Sequence, residues 1–310
     1  MFLLIETVYP LLLPQKRREW GILLPRGING GQCMYRIIKV LNNNGILVYD
    51  NDTGREMILL GNGVGFGKRT TQQIASLPGA KVYTLVNRQK QHSVLQVVNG
   101  IRPEFIEAAG RIVDEAEKMF QNISKDILLP MADHIALAAK RAEEERQIPN
   151  PFTPDIRVLF EKEYAAALKG REIIRELTGY EISDDEVGFI TLHIHAGLSD
   201  EQVSEALEMT RIIDEGISMI EEAFGQEFAE DSLAYTRLMS HLYYMVARTR
   251  KGESTKADFN DFIFANYPYT GKVAEEVCGY MSRQLKKNVA REEIGFLALH
   301  IQRVIDPEGV

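Results

Sequence analysis

The sequence predicts a multidomain, mainly α protein: a small antiparallel β-sheet followed by two homologous all-α helical bundles. Three observations predict it. From Met34 to about Val86, short runs rich in Ile, Val, Leu and Tyr alternate with turn residues; from Gly100 on, apolar residues recur at spacings of three and four; and within that helical region a single segment occurs twice. At 310 residues the chain has length for two or three domains with cores of their own. Its 45% hydrophobic and 26% charged residues place it among ordinary soluble proteins.

The first segment, residues 1–33, reads "MFLLIETVYPLLLPQKRREWGILLPRGINGGQC". Its apolar run is broken by Glu6 and Pro10, has no basic residue ahead of it and lacks a small-residue cleavage site, which argues against a secretory signal. It is also too short to span a bilayer. Gly30-Gly31 can be encoded by a purine-rich GGAGG just before the Met34 codon, where a bacterial ribosome-binding site belongs. The expectation is a mis-assigned start; the alternative is a genuine extension packed on the body of the protein.

Next come "RIIKVL", "GILVYD", "EMILL" and "KVYTLV", separated by "NNN", "NDTG" and "GNGVGFGKRT". A meander of about four antiparallel strands fits, with Asn, Asp and Gly supplying the turns. Three consecutive asparagines, Asn42 to Asn44, are out of place inside a strand and read as a hairpin turn or as a contact surface. So small a sheet has little core and would gain from dimerising.

Charge separates this region from the rest. Met34 to Arg88 holds seven Lys+Arg against three Asp+Glu, a net of +4, whereas the chain from Gln89 on nets −14. A small basic module joined to a large acidic one points to a polyanion partner for the first and a different task for the second. The two cysteines, Cys33 and Cys278, lie far apart, which argues against a disulfide framework or a cysteine zinc site and suits a reducing cytoplasm.

After a polar linker, "RQKQHSVLQVVNG", the helical segments are "EFIEAAGRIVDEAEKMF", "ILLPMADHIALAAKRAEEER", "EYAAALKGREIIRELTG", "SDDEVGFITLHIHAG" and "QVSEALEMTRIIDEGISMIEEAF", with "IPNPFTPD" and "FANYPYTG" as breakers. "SDDEVGFITLHI" recurs as "AREEIGFLALHI", and each copy has a histidine helix upstream, "MADHIALAAKR" and "LMSHLYYMVAR". His134 precedes His193, and His241 precedes His300, by the same 59 residues. In "SDDE" the serine caps a helix whose first turn is acidic.

The duplicated histidines have three readings. They are packing residues retained by the repeat, or metal ligands, or phosphoryl acceptors. Zinc needs three or four ligands, and His193 and His195 point in different directions on a helix; the second copy has Gln302 in place of His195. A neutral imidazole can instead attack a phosphohistidine donor, and the product adds roughly two negative charges to a helical interface, which suits a switch.

"KVLNNNGILV" followed by "LLGNGVGFGKR" resembles the co-antiterminator RNA-binding domain of the BglG/SacY family of transcriptional antiterminators, and the histidine repeats resemble that family's paired regulation domains of the phosphotransferase system (PTS). "GFGKR" and "LHIHAGL" look most like the glucose-type subgroup. The resemblance implies an RNA-binding domain at 34–88, a linker at 89–99, and regulation domains at 100–202 and 203–310. It implies a cytoplasmic homodimer, not inserted in the membrane, that binds an mRNA antiterminator hairpin of a sugar-uptake operon and prevents terminator formation. Control comes from histidine phosphorylation by the PTS phosphocarrier protein and a sugar-specific permease. The phosphorylatable positions carry over to His134, His193, His241 and His300; His195 has no counterpart in the second repeat and is assigned no phosphate.

For RNA, Asn42 and Asn44 offer paired donors and acceptors, Gly61, Gly63 and Gly65 permit close backbone approach, and Phe66 is a stacking platform. Lys39, Lys68 and Arg69 would meet phosphates, and Asn43 makes the bend; taken singly, Lys68 and Arg69 read equally as a solvated face, Phe66 as core and the glycines as turn residues. Asn62 stands where many relatives of that family carry a basic residue between these glycines, which puts one phosphate or base contact in doubt. No catalytic residue, metal or cofactor is called for. The rival functions are a PTS-regulated DNA-binding activator, which needs a helix-turn-helix, and a helical metal-dependent hydrolase.

Overall fold

The structure, a computed structural model, describes residues 35–75, 77–84, 94–144, 146–199, 201–253, 255 and 257–306. The expected extension at residues 1–33 lies outside the described residues, as do Leu85 and Val86 of the last expected strand.

The asparagines close a hairpin. Strand β1 (Tyr35–Asn42) pairs antiparallel with β2 (Gly45–Asp50), Asn42 facing Gly45 across a turn made of Asn43 and Asn44. β2 pairs with β3 (Arg55–Leu60) through a turn in which the Asp50 carboxylate accepts from the Asp52 N–H and the Thr53 hydroxyl, with Gly54 at φ 69. Two more strands, β4 (Gln73–Ile74) and β5 (Lys81–Thr84), complete an antiparallel sheet in the order β4-β1-β2-β3-β5. The meander was expected with four strands; β4 is too short to carry an alternating pattern of its own.

Alternation along the strands separates two buried faces. Ile37, Ile46, Val48, Met57, Leu59, Val64 and Ile74 form one small core. Leu47, Ile58 and Tyr83, aligned across three strands, form the other. That second face is covered by helix α2 (Pro103–Met119): the Tyr83 hydroxyl reaches the Gly110 carbonyl at 3.3 Å and Asp114 at 3.1 Å. A Cβ on Gly110 would lie 2.4 Å from Leu60, so the glycine lets helix and sheet approach. The shortage of core expected for this sheet is thus relieved within the chain, by a helix.

The remaining helices are α1 (Val94–Gly100), α3 (Leu128–Glu143), α4 (Thr153–Leu159), α5 (Glu161–Thr178), α6 (Asp184–Leu198), α7 (Val203–Phe224), α8 (Leu233–Lys251), α9 (Asn260–Asn266), α10 (Pro268–Leu285) and α11 (Glu292–Ile305). The 107-residue offset that carries His134 to His241 also carries α4 onto α9 and α5 onto α10 residue for residue. The repeat is therefore one of structure as well as sequence. Some of the expected polar linker is helical, as α1. The expected breakers contain helix starts: α4 begins at Thr153 inside "IPNPFTPD", and α10 at Pro268 inside "FANYPYTG". Proline is tolerated in a first turn, where its missing N–H has no partner to lose. The expected cap of α6 is present, Ser183 Oγ accepting from the Glu186 N–H.

Contacts divide the described chain into two compact units, one of residues up to 147 with 166–182 and 196–204, the other of 148–165, 183–195 and 205 onward. In the second, Leu238, Leu242 and Met245 of α8 pack with Val277 and Met281 of α10 and Leu297 and Ile301 of α11. Among the described residues no helix is long and apolar enough to cross a membrane.

Candidate functional site

Each asparagine of the turn has a distinct task. Asn42 Oδ1 accepts the Asn44 N–H at 2.8 Å and Asn44 Oδ1 accepts the Gly63 N–H at 3.0 Å. The Gly61 N–H bonds the Asn44 carbonyl and the Gly65 N–H the Asn43 carbonyl, both at 2.9 Å. The hairpin turn and the glycine loop are thereby laced into one surface. Asn44 as well as Asn43 makes the bend.

Glycine is required here for two separate reasons. Gly63 lies at φ +72 with open space around it, so its need is conformational. At Gly65 a Cβ would fall 2.0 Å from the Asn42 carbonyl oxygen, so the need there is for space. Between them Val64 is anchored in the sheet core, which turns the next apolar side chain outward: Phe66 is 73% exposed. A ring of that size left in water at a laced loop is not core, and its face is open to a partner. Lys68 is half-buried and Arg69 exposed at the end of the same loop.

With both Oδ1 atoms taken by backbone N–H groups, the amide nitrogens face away from the loop, and a carboxylate meets them. Asn42 Nδ2 donates to Glu107 Oε2 at 2.6 Å and Asn44 Nδ2 to Glu107 Oε1 at 2.8 Å, so one glutamate of α2 occupies both candidate base-reading groups. Lys39 Nζ bonds Asn99 Oδ1 at 2.7 Å, next to the end of α1. Sequence reasoning missed Glu107 and Asn99, because a glutamate on an amphipathic helix carries no mark of what it faces.

The histidines differ in exposure. His134 on α3 and His193 on α6 are buried, the former in the first unit and the latter in the second. His195 is also buried, its Nδ1 3.2 Å from the Glu163 carboxylate and its ring 4.2 Å from that of Phe160, which suits a structural role. His241 on α8 and His300 on α11 stack with ring centroids 4.6 Å apart. On one side of that pair Arg248 grips the buried Glu293 with two hydrogen bonds of 2.8 and 2.9 Å, Glu293 lying 3.7 Å from His241 Nε2.

Burial, then the neighbouring His300 and Arg248, pushes His241 down to about 3, and burial with Arg303 and Arg237 lowers His300. Both imidazoles are neutral at neutral pH, as a nucleophile must be. The unfolded chain protonates His241 near pH 6.5 and the folded one does not, so its contribution to stability is complete above about pH 6.5 and declines as pH falls toward 3. Denaturant unfolding between pH 7 and 5 should show a slope of up to about 1.4 kcal/mol per pH unit from this residue that is absent in His241→Gln. Equal slopes in the two proteins would contradict it. Among the described residues no group of three or more His, Cys, Asp or Glu is placed to hold a metal ion.

Comparison with known proteins adds independent findings. A family described as "CAT RNA binding domain" matches residues 35–92, and one described as "PRD domain" matches 110–197 and 214–304. The GlcA/glcB genes antiterminator of Staphylococcus carnosus (strain TM300) is 30% identical over 274 residues, covering 86% of this chain and 94% of that protein. Transcription antiterminator LicT of Bacillus subtilis (strain 168) is 27% identical over 274 residues, covering 87% and 99%. A solved structure titled "Crystal structure of GlcT CAT-PRDI" matches 54% of this chain and 99% of its own at 27% identity, with a TM-score of 0.45.

Proposed function

The chain belongs to the family of transcription antiterminators that join a CAT RNA-binding domain to PRD domains, and on that premise we propose how its residues read RNA and answer to the PTS. The laced surface of asparagine turn and glycine loop, with Phe66 standing out of it, carries the reading. Asn42 and Asn44 present amide groups to base edges of a distorted hairpin, Phe66 stacks on an unpaired base, and Lys39, Lys68 and Arg69 meet phosphates. Stacking of this kind contributes about 1–3 kcal/mol per base. The hairpin so held, in nascent mRNA of a sugar-uptake operon, excludes the overlapping terminator. A DNA-binding activator is not favoured, since the described residues of the basic module form a sheet with no helix-turn-helix.

We take the RNA module as residues 34–88, the linker as 89–99 and the regulation domains as 100–202 and 203–310, in a cytoplasmic protein acting as a homodimer. The phosphoryl acceptors are His134, His193, His241 and His300, served by the phosphocarrier protein and a sugar-specific permease. His134 and His193 are buried, so phosphate there must open the surrounding helices, since roughly two charges cannot remain in an apolar interior. That obligatory rearrangement makes them switches.

Glu107 links the two activities. RNA must displace its carboxylate from Asn42 and Asn44; base edges replace most of what the two amides lose, which leaves a net cost of about one charged hydrogen bond, about 1.5 kcal/mol. Titration of the chain with its leader hairpin should show roughly tenfold tighter binding for Glu107→Ala and roughly tenfold weaker binding for Phe66→Ala. Unchanged or weaker binding of Glu107→Ala would remove Glu107 from the mechanism; unchanged binding of Phe66→Ala would remove this surface as the RNA site.

A further inference from the structure

The stacked histidines of the second unit have a closed side and an open side. Because Arg248 meets Glu293 while His241 meets His300, helices α8 and α11 run antiparallel, and the Arg248–Glu293 pair seals one side. On the other side the start of α8, the end of α11 and the segment before α8 enclose an open cleft of about 1060 Å³, lined by His300, Arg237 and Arg303 and by Glu227. Arg237 stands four residues before His241 on α8 and Arg303 three residues after His300 on α11, each on the same helix face as its histidine.

Both arginines are exposed, and neither makes a hydrogen bond or ion pair with any described residue. Elsewhere in the second unit Arg248 is neutralised by a carboxylate. Two unneutralised guanidinium groups aimed at one cleft, beside a histidine and in the acidic region of the chain, constitute a site for a dianion. The first turn of α8 opens on the same cleft through Ser232 and Leu233, which adds the positive end of a helix dipole. The 107-residue offset places Pro130 and Ala196 where the second repeat has Arg237 and Arg303, so the first repeat carries no such pair.

We infer that this cleft is a phosphoryl-binding site of the second regulation domain, in which Arg237 and Arg303 hold the phosphoryl group carried by His300 on Nε2. The inference rests on His300 being a phosphoryl acceptor, and it adds how that phosphate is received and retained. His300 Nδ1 is buried with no hydrogen-bond partner among the described residues, which leaves Nε2 to face the donor. In the transfer, the Nε2 lone pair forms a bond to the phosphorus of a phosphohistidine on the carrier protein. The carrier's N–P bond breaks and its electron pair returns to the carrier imidazole; no water is consumed. The two guanidinium groups lie where the three phosphoryl oxygens arrive, lowering the barrier to transfer and shielding the product from hydrolysis. The cleft has room for the phosphoryl group together with the donor ring.

The test uses the full chain, incubated with the phosphocarrier protein, enzyme I and phosphoenolpyruvate, with phosphohistidine quantified separately at each site under alkaline conditions. Arg237→Ala/Arg303→Ala is expected to lower both the initial rate of labelling at His300 and the lifetime of the label at least about tenfold, with labelling of the other histidines unchanged. Arg237→Lys/Arg303→Lys should recover some of both, and it keeps the test open should the alanine pair fail to fold. Wild-type rate and lifetime at His300 in the alanine pair would overturn the arginine cradle while leaving phosphorylation intact. No phosphate on His300 in the wild-type chain, with label at the other histidines, would overturn the acceptor role itself and the cradle with it.

Discussion

Gly65→Ala is expected to abolish hairpin binding while the helical regions stay folded. The added Cβ would sit 2.0 Å from the Asn42 carbonyl oxygen and 3.1 Å from that of Gly45. Both are backbone atoms, so no rotamer change relieves the clash. The loop must move away, and with it go the Gly65–Asn43 and Gly63–Asn44 hydrogen bonds that join the glycine loop to the asparagine turn. A loss of at least about hundredfold in affinity, about 2.7 kcal/mol, is expected from titration with the leader hairpin. Gly63→Ala is the informative contrast: it meets open space and has only its left-handed backbone to strain, at about 1–2 kcal/mol. Binding by Gly65→Ala within threefold of wild type would show that the loop does not need its lacing.

The second large effect concerns stability. Arg248→Ala leaves the Glu293 carboxylate, 1% exposed, without its two charge-assisted hydrogen bonds and next to a neutral imidazole. Removing one partner of a buried pair costs about 3–5 kcal/mol, because the other charge stays behind in low dielectric. Urea unfolding should show that loss, and Arg248→Ala/Glu293→Gln should be less damaged than Arg248→Ala alone, since the uncompensated charge is gone. A cost below about 1 kcal/mol for the single variant would mean that Glu293 finds water or another partner.

Much of this architecture was legible in the sequence, for physical reasons that differ between its regions. The strands showed because the sheet buries both faces, so a strand reads as a short apolar run bounded by turn residues, as Ile46, Leu47 and Val48 do. The repeat showed because the offset between its copies is constant, and it extends to the bounds of α4 and α9. Prolines misled where they stand in first turns, as Pro268 does. Phe66 was read as a stacking platform, and its exposure follows from Val64 being anchored one position away from the glycine at 65.

What was not legible depends on the meeting of distant elements. Glu107 looks like any solvated glutamate of α2 until the sheet is laid against that helix and the two asparagine amides arrive at its carboxylate. Arg237 and Arg303 acquire meaning only once α8 and α11 are antiparallel and the cleft between their ends exists. The repeated histidines stood out by spacing, but spacing is silent on burial, and the structure buries His134 and His193 while leaving His300 half-buried.

The most direct measurement is single-round transcription in vitro through a template carrying the leader hairpin and its overlapping terminator. Addition of the wild-type chain should raise read-through past the terminator, and the Asn44→Ala/Phe66→Ala variant, with its helical domains intact, should leave termination at its basal level. Read-through raised equally by both proteins would contradict the claim that the asparagine turn and the glycine loop form the surface that holds the RNA.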